Sequence, residues 1–375
     1  MTLRVKRVGD RLRVTLMNPT HRKISTQVAS LIRCEPALTG HEPAWRVTID
    51  NGRLIRTLAG SLRIDAADGA IRTIVHTDPE SLVARVAASE MSGASELESL
   101  KALAVVARTF IHATRSRHSR QGFDFCDTTH CQWYQGEDRL LRDDRFSRLV
   151  RRAVRETENL VLNDNGRVLP VYFTGSCGGR TAPPELIWGQ SSSDGPPVER
   201  SVPCHWCQGS RFYRWERHIR KEMFLRVIEE LTGTSSHHAR LLPQLTEQGF
   251  VKALCVESGD ERRCISEEDL RSKVGRVFGW NLILSNAYTI EDRGYGLVFR
   301  GRGFGHNVGL CLSGAVAQAK GGREYDDILK YYFPHTGLSP LPVTAPVTSI
   351  ASTVEALNAT DVLVHRLKKD DARRY

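Results

Sequence analysis

In the stretch AASEMSG, residues 87–93, one carboxylate, Glu90, stands among alanines and a methionine. An apolar setting raises a carboxyl pKa by desolvation. It keeps the group protonated near neutral pH, able to hand a proton to a leaving oxygen. The plainer reading is a helix-terminal glutamate paired with Lys101 or Arg108. Those two cations lie two turns apart on one helix face and could flank the same cleft as Glu90, where they would oppose the rise. Local sequence leaves both readings standing.

A second reactive group lies in RHSRQGFDFCDTTHCQWY, which carries His118, Cys126, His130 and Cys131. Thiolates and imidazoles are the usual zinc ligands, and a tight Cys-x4-Cys loop with a nearby histidine supplies three of four. The alternative is two buried thiols or a disulfide beside a bystander histidine. His130 adjoins Cys131, so its side chain is expected to point elsewhere, and His118 is the preferred nitrogen ligand. Farther on, PCHWC presents Cys204 and Cys207. It fits half a metal site completed by Cys177, a redox pair or a disulfide.

Two glycine-dense turns, YFTGSCGGRTAP and GRGFGHNVGL, would let backbone approach a ligand closely, but tight chain crossings need such turns as well. The second is no dinucleotide fingerprint, because no G-x-G-x-x-G phase fits and no βαβ unit follows. No organic cofactor is expected. His306, inside that turn, reads as a cleft residue or, on local grounds preferably, as a satisfied structural histidine.

The elements that must position these groups are of mixed type. Residues 1–75 alternate apolar and polar positions between Gly, Asn and Asp, a β-rich pattern. Asp78-Pro79 starts a helix whose apolar stripe, Leu82, Val83, Val86 and Ala87, brings Glu90 to its last turn, with Gly93 as the stop. Ser95 and Glu98 read as a capping box for a second helix with apolar positions Leu97, Leu100, Ala104, Ala107 and Ile111. The expected fold is α+β. It has a β-rich N-terminal segment over 1–75 and a mixed helix/sheet core with a central cleft over 76–337, carrying a helical insertion at about 213–280. A peripheral tail covers 338–375.

Bulk properties narrow the class. A chain of 375 residues with 40% hydrophobic and 26% charged residues is an ordinary globular protein with a large core. Its net charge of +10 favours anionic partners without choosing among them. The interleaved aromatic and basic residues of a single-strand binding groove are not evident, so nucleic acid is a minority reading. No apolar run reaches membrane-spanning length, and the start MTLRVKRVGD shows no signal-peptide pattern. The nine cysteines are an odd number and widely spread, so close pairs read first as metal sites.

Taken in order, ASEM, LKALAVVARTF, CDTTHCQWYQG, YFTGSCGGRT, GRGFGHNVGL and YDDILKYYFPHT resemble the SpoIID/LytB family of bacterial cell-wall proteins, over about residues 60–337. The resemblance implies a peptidoglycan lytic transglycosylase, as in the SpoIID members, acting in wall remodelling or sporulation-like processes. The LytB members imply instead a wall-binding protein that modifies an amidase. It places the family's catalytic glutamate on Glu90 and the zinc of some members on the His118, Cys126, Cys131 loop, in a structural role. Lys101 and Arg108 would support the cleft, and Ser176, Thr181 and His306 would be sugar-binding groups. Ordinary glycosidases need two carboxylates, one of them serving the water or nucleophile. A lytic transglycosylase uses the substrate's own muramic C6 hydroxyl, so one glutamate suffices. The implied partners are glycan strands and a cell-wall amidase, not nucleic acid. The implied location is periplasm, cell wall or exterior, with any membrane attachment through a signal or anchor not seen in the sequence. The chain departs from the family at Leu103 and Leu312, where amides are usual, at Asn307, where glycine is usual, and in EMSG for EMP. If those amides bind sugar, binding or turnover here would differ.

Overall fold

The computed structural model describes residues 2–4, 12–15, 32–38, 43–49, 54–67, 70–115, 117–142, 144–188, 201–233 and 239–341. The tail beyond 341, and most of the opening decapeptide, lie outside the described residues. Helices and several small sheets share the described chain, as the α+β expectation requires.

Strands Ile32–Leu38, Pro43–Ile49 and Leu54–Ala59 form an antiparallel meander. Ser61–Ala67 pairs with Ala70–Thr77, which also pairs with Thr2–Arg4 and Leu12–Thr15. Phe125–Cys126 joins the same sheet beside Leu12–Thr15. Strand Ala70–Thr77 thus runs across the boundary drawn at 75, and the sheet borrows a strand from the helical region.

Helix α1 (Pro79–Glu90) begins as its sequence requires. Asp78 accepts a hydrogen bond from the Ser81 N–H at 2.9 Å, and Pro79 occupies the first position, where no N–H is needed. Helix α2 (Leu97–Ala113) starts one residue later than expected. Its capping box is Glu96 with Ser99, whose hydroxyl accepts from the Glu96 N–H at 3.2 Å. From Ala102 to Ile111 every residue of α2 is buried, so this is a central helix rather than one with a single apolar stripe. One side packs on Leu82, Val83 and Val86 of α1 and on Tyr134. The other packs on α3 (Arg145–Glu156), α7 (Leu312–Lys320) and α8 (Tyr325–Tyr332), through Val150, Ala315 and Leu329.

Between them lie the short α4 (Pro184–Trp188) and a region expected to be helical at about 213–280. That region corrects the expectation. Besides α5 (Lys221–Thr232) and α6 (Glu267–Phe278) it holds strands Trp215–Arg220, Arg240–Leu245, Val251–Ser258 and Glu261–Ser266. These pack around Phe224, Ile228, Leu254, Leu270 and Phe299. Cys255 and Cys264, cross-strand partners there, form a disulfide that the sequence alone did not suggest.

Candidate functional site

Glu90 ends α1 where the chain turns out into the exposed residues Ser92, Gly93 and Ala94. Met91, in extended conformation, stops the helix, and Gly93 lies in the turn beyond it. Three residues of the segment 133–139 fix this end with four hydrogen bonds. Arg139 donates to the Ala88 and Met91 carbonyls, both at 2.9 Å, satisfying acceptors that a helix C-terminus leaves open and placing a cation at its negative pole. The Gln135 N–H donates to Ser89 Oγ at 3.0 Å. The Trp133 N–H donates to Glu90 Oε1 at 3.0 Å. Burial pushes the Glu90 carboxyl up to about 7, against the smaller opposing pull of the Trp133 N–H. Trp133 itself is 38% exposed, and its indole is an apolar surface of the kind on which a sugar ring can lie.

The expected cations are not there. Arg108 is fully buried and forms a bidentate ion pair with Glu80 in the first turn of α1, with Nε–Oε1 and Nη2–Oε2 both 2.6 Å. Its remaining nitrogen donates to the Leu160 carbonyl at 3.0 Å. Lys101 sits between Glu98 and Glu156, each 2.8 Å away, and ties α2 to the end of α3. Both face helix neighbours, so neither flanks Glu90. This is also why nothing cationic lowers the glutamate's pKa.

Of the expected sugar-binding groups, Thr181 and His306 are committed elsewhere and Ser176 is withdrawn from the surface. Ser176 and Thr181 are buried. Thr181 Oγ1 accepts from the Val202 N–H at 2.8 Å, and the Ser176 backbone exchanges hydrogen bonds with Phe304. His306 accepts at Nδ1 from the Val308 N–H at 3.1 Å and hydrogen-bonds the Phe173 backbone. Burial first, then Arg271, pulls its pKa down to about 3, so it stays neutral. This is the satisfied structural histidine of the local reading. Its ring packs against Trp188 and Tyr172, with ring centres 5.1 and 6.2 Å away.

The substituted positions are structural too. Leu103 and Leu312 belong to the buried core, where a side chain meets no sugar. Asn307 takes φ 65°, a left-handed conformation that asparagine tolerates, and donates to the Cys177 carbonyl at 2.8 Å. The two glycine-rich turns interlock there: a Cβ on Gly178, itself at φ +67°, would fall 2.5 Å from the Gly303 nitrogen.

The cysteine–histidine loop does assemble, with one more member than expected. His118 Nε2 lies 3.2 Å from Cys131 Sγ, and His130 Nδ1 lies 3.7 Å from both Cys126 Sγ and Cys131 Sγ. All four donor atoms fall within 4.8 Å of one another. His130 therefore points inward, because the turn Thr128–Cys131 folds back on Cys126. Gln121 Oε1, 2.7 Å from His118 Nδ1, accepts the proton there and leaves Nε2 a free lone pair, the usual outer support of a metal-bound imidazole. These spacings match the edges of a tetrahedron around zinc, whose bonds to N and S are about 2.0–2.3 Å. Two residues after Cys131 comes Trp133, whose N–H holds Glu90. Cys177, Cys204 and Cys207 also come together, joined by Cys311.

Sequence reasoning missed Trp133 and Arg139. Each was visible only as a residue type in CQWYQGEDR, since nothing local says that this loop returns to the end of α1.

The SpoIID family, described as Stage II sporulation protein, matches residues 67–163, which span α1, α2, the cysteine–histidine loop and α3. Stage II sporulation protein D of Bacillus subtilis is 28% identical over 269 residues, covering 69% of this chain and 74% of that protein. An uncharacterized protein of Brachyspira hyodysenteriae is 26% identical over 279 residues, 73% of this chain and 70% of its own. The amidase enhancer of B. subtilis is 23% identical over 290 residues, 67% of this chain but only 39% of that longer protein. The Glu90 helix, the central α2 and the cysteine–histidine loop all lie inside the segment that matches the SpoIID family, and the chain is similar beyond it to stage II sporulation protein D and the amidase enhancer.

Proposed function

We propose that this cell-wall protein is a lytic transglycosylase that cleaves the β-1,4 bond between N-acetylmuramic acid and N-acetylglucosamine in glycan strands. The observation that carries the reading is Glu90: half-buried at an exposed turn, held by one N–H, unpaired with any cation among the described residues, and protonated up to about pH 7. The neutral carboxyl gives its proton to the glycosidic oxygen as the C1–O bond breaks. The carboxylate then takes the proton of the muramic C6 hydroxyl as that oxygen bonds to C1, closing the 1,6-anhydro ring. Glu90 ends as it began, no water is consumed, and a second carboxylate is unnecessary. The Trp133 indole would seat a sugar ring beside the acid.

His118, Cys126, His130 and Cys131 would hold zinc. Four protein ligands close the coordination sphere, so the ion would be structural and would fix the loop bearing Trp133. Replacing Cys126 and Cys131 by serine is expected to remove this zinc and slow turnover by about 10–100-fold, as loss of positioning at metal sites typically does. Zinc content and initial rate check this, and an unchanged rate would deny the loop any role at Glu90. The Cys255–Cys264 disulfide suits action outside the cytoplasm, where the substrate lies.

One observation favours a second reading. Thr181, Lys101 and Arg108 are committed to structure and Ser176 is buried, leaving few polar groups to orient a sugar. A wall-binding protein that acts through an amidase would need no more. Mass spectrometry of purified glycan strands, intact and peptide-stripped, after incubation with the full chain decides between them. Anhydromuramic termini are expected, most abundantly on stripped strands. Binding without such termini on either substrate would leave the amidase-directed role.

A further inference from the structure

Four cysteines converge from three separate segments: Cys177 in the first glycine-rich turn, Cys204 and Cys207 in CHWC, and Cys311 at the start of α7. They span 134 residues of sequence, from Cys177 to Cys311. Each is at most 1% exposed, and all four sulfurs lie within 4.8 Å of one another. We infer that they form a second metal site, a mononuclear zinc tetrathiolate that is separate from the cysteine–histidine loop and independent of turnover at Glu90.

Geometry excludes the main rivals. A zinc–sulfur bond of about 2.3 Å makes the edge of a tetrahedron about 3.8 Å; Cys177 and Cys207 sulfurs are 3.6 Å apart. Disulfides would pair the atoms at about 2.05 Å, and none of the four is paired. A cluster of several irons would spread its thiolates wider, because metal–metal spacing adds to the separation of ligands on different irons. Four all-sulfur donors with no open position suit zinc or a single iron, and zinc is the commoner occupant of structural sites built from cysteine alone.

The surroundings are those of bound thiolates. The Cys177 and Gly314 N–H groups lie 3.3 and 3.4 Å from Cys311 Sγ, the latter at the positive end of α7. The Tyr332 hydroxyl lies 3.2 Å from Cys204 Sγ. Such donors spread the negative charge of a tetrathiolate, as outer-sphere partners do at other metal sites. Space is kept for the group as well: a Cβ on Gly314 would fall 2.9 Å from Cys204 Sγ and 2.1 Å from the Tyr332 oxygen. Zinc here would staple the glycine-rich turn and the CHWC loop to α7, adding to the hydrogen bonds that already join this crossing, such as Asn307 to the Cys177 carbonyl.

The test uses the full chain with Cys126→Ser and Cys131→Ser, so that the first site contributes no metal. This protein is expected to retain about one zinc per chain, with an X-ray absorption spectrum showing sulfur alone at about 2.3 Å. Adding Cys204→Ser and Cys207→Ser should abolish it. Should that variant fail to fold, cobalt(II) exchanged into the parent protein still decides, through sulfur-to-cobalt charge transfer and tetrahedral ligand-field bands. Absence of zinc, a nitrogen- or oxygen-containing shell, bound iron, or thiols found as two disulfides would each overturn the assignment. Zinc at this site with no anhydromuramic product would leave it standing while the transglycosylase reading fell.

Discussion

Glu90→Gln is expected to abolish anhydromuramic release and at the same time to stabilise the fold at alkaline pH. General acid–base catalysis contributes typically 10²–10⁴-fold, and one group serving both proton transfers puts the loss toward the upper end. Glutamine copies the shape of the neutral acid and accepts the Trp133 N–H, but it has no acidic proton to give. The stability effect has a definite sign. The folded carboxyl titrates at about 7 and the unfolded one near 4.3, so the native state binds the extra proton between those values. The associated stability is complete below the unfolded pKa and is lost as pH rises through 7. Above that, the wild type carries a desolvated charge that glutamine avoids. After allowance for the partial exposure of Glu90, the difference is on the order of 2 kcal/mol at pH 8 and vanishes below pH 4. Urea unfolding of both proteins at several pH values reads it directly. Wild-type activity should fall about tenfold per pH unit well above 7, where the acid form becomes scarce. Equal stability of the two proteins at pH 5 and pH 8 would mean that Glu90 is not desolvated, and the acid role would lose its physical basis.

That Glu90 could be placed at the end of a helix from sequence follows from how local the signals of α1 are. Asp78-Pro79 fixes the start of α1, the stripe Leu82–Val86 fixes its buried face, and counting turns leads to the last residue. The α+β class was legible for the same reason, since alternation and helical spacing are both short-range. What failed was long-range. Two turns along α2 do put Lys101 and Arg108 on one face, but α2 is enclosed on every side, and the face meets Glu80 and Glu156 instead of solvent. The expectation that His130 points away from Cys131 holds for extended chain and not for the tight turn it occupies. The fourth thiol of the second cluster lies 134 residues after the first, a separation no spacing rule bridges. Strands inside the 213–280 region were hidden because a charge-rich stretch such as WERHIR looks like an exposed helix face.

Arg108→Met should then be among the most destabilising single changes in the chain, by about 3–5 kcal/mol, because it strips a buried ion pair of one partner. The guanidinium is fully buried, and both its links are specific: two bonds to Glu80 and one to the Leu160 carbonyl. Methionine fills much of the volume, so the loss comes from a carboxylate left beside the core and an unsatisfied carbonyl rather than from a cavity. Glu80→Gln alone should cost less, since its side chain is 25% exposed and water can replace part of the pair. The double variant should recover part of the sum of the two single losses, a coupling that a double-mutant cycle in urea measures. The same cycle separates this role from the one the family pattern implies. A cation lining the sugar cleft would, when removed, raise KM for glycan strands and leave the unfolding midpoint where it was. A strut between α1 and α2 does the reverse: the midpoint falls, KM holds at temperatures where the protein is folded, and kcat declines only as the start of α1 loosens and Glu90, one helix length away, loses its fixed position against Trp133.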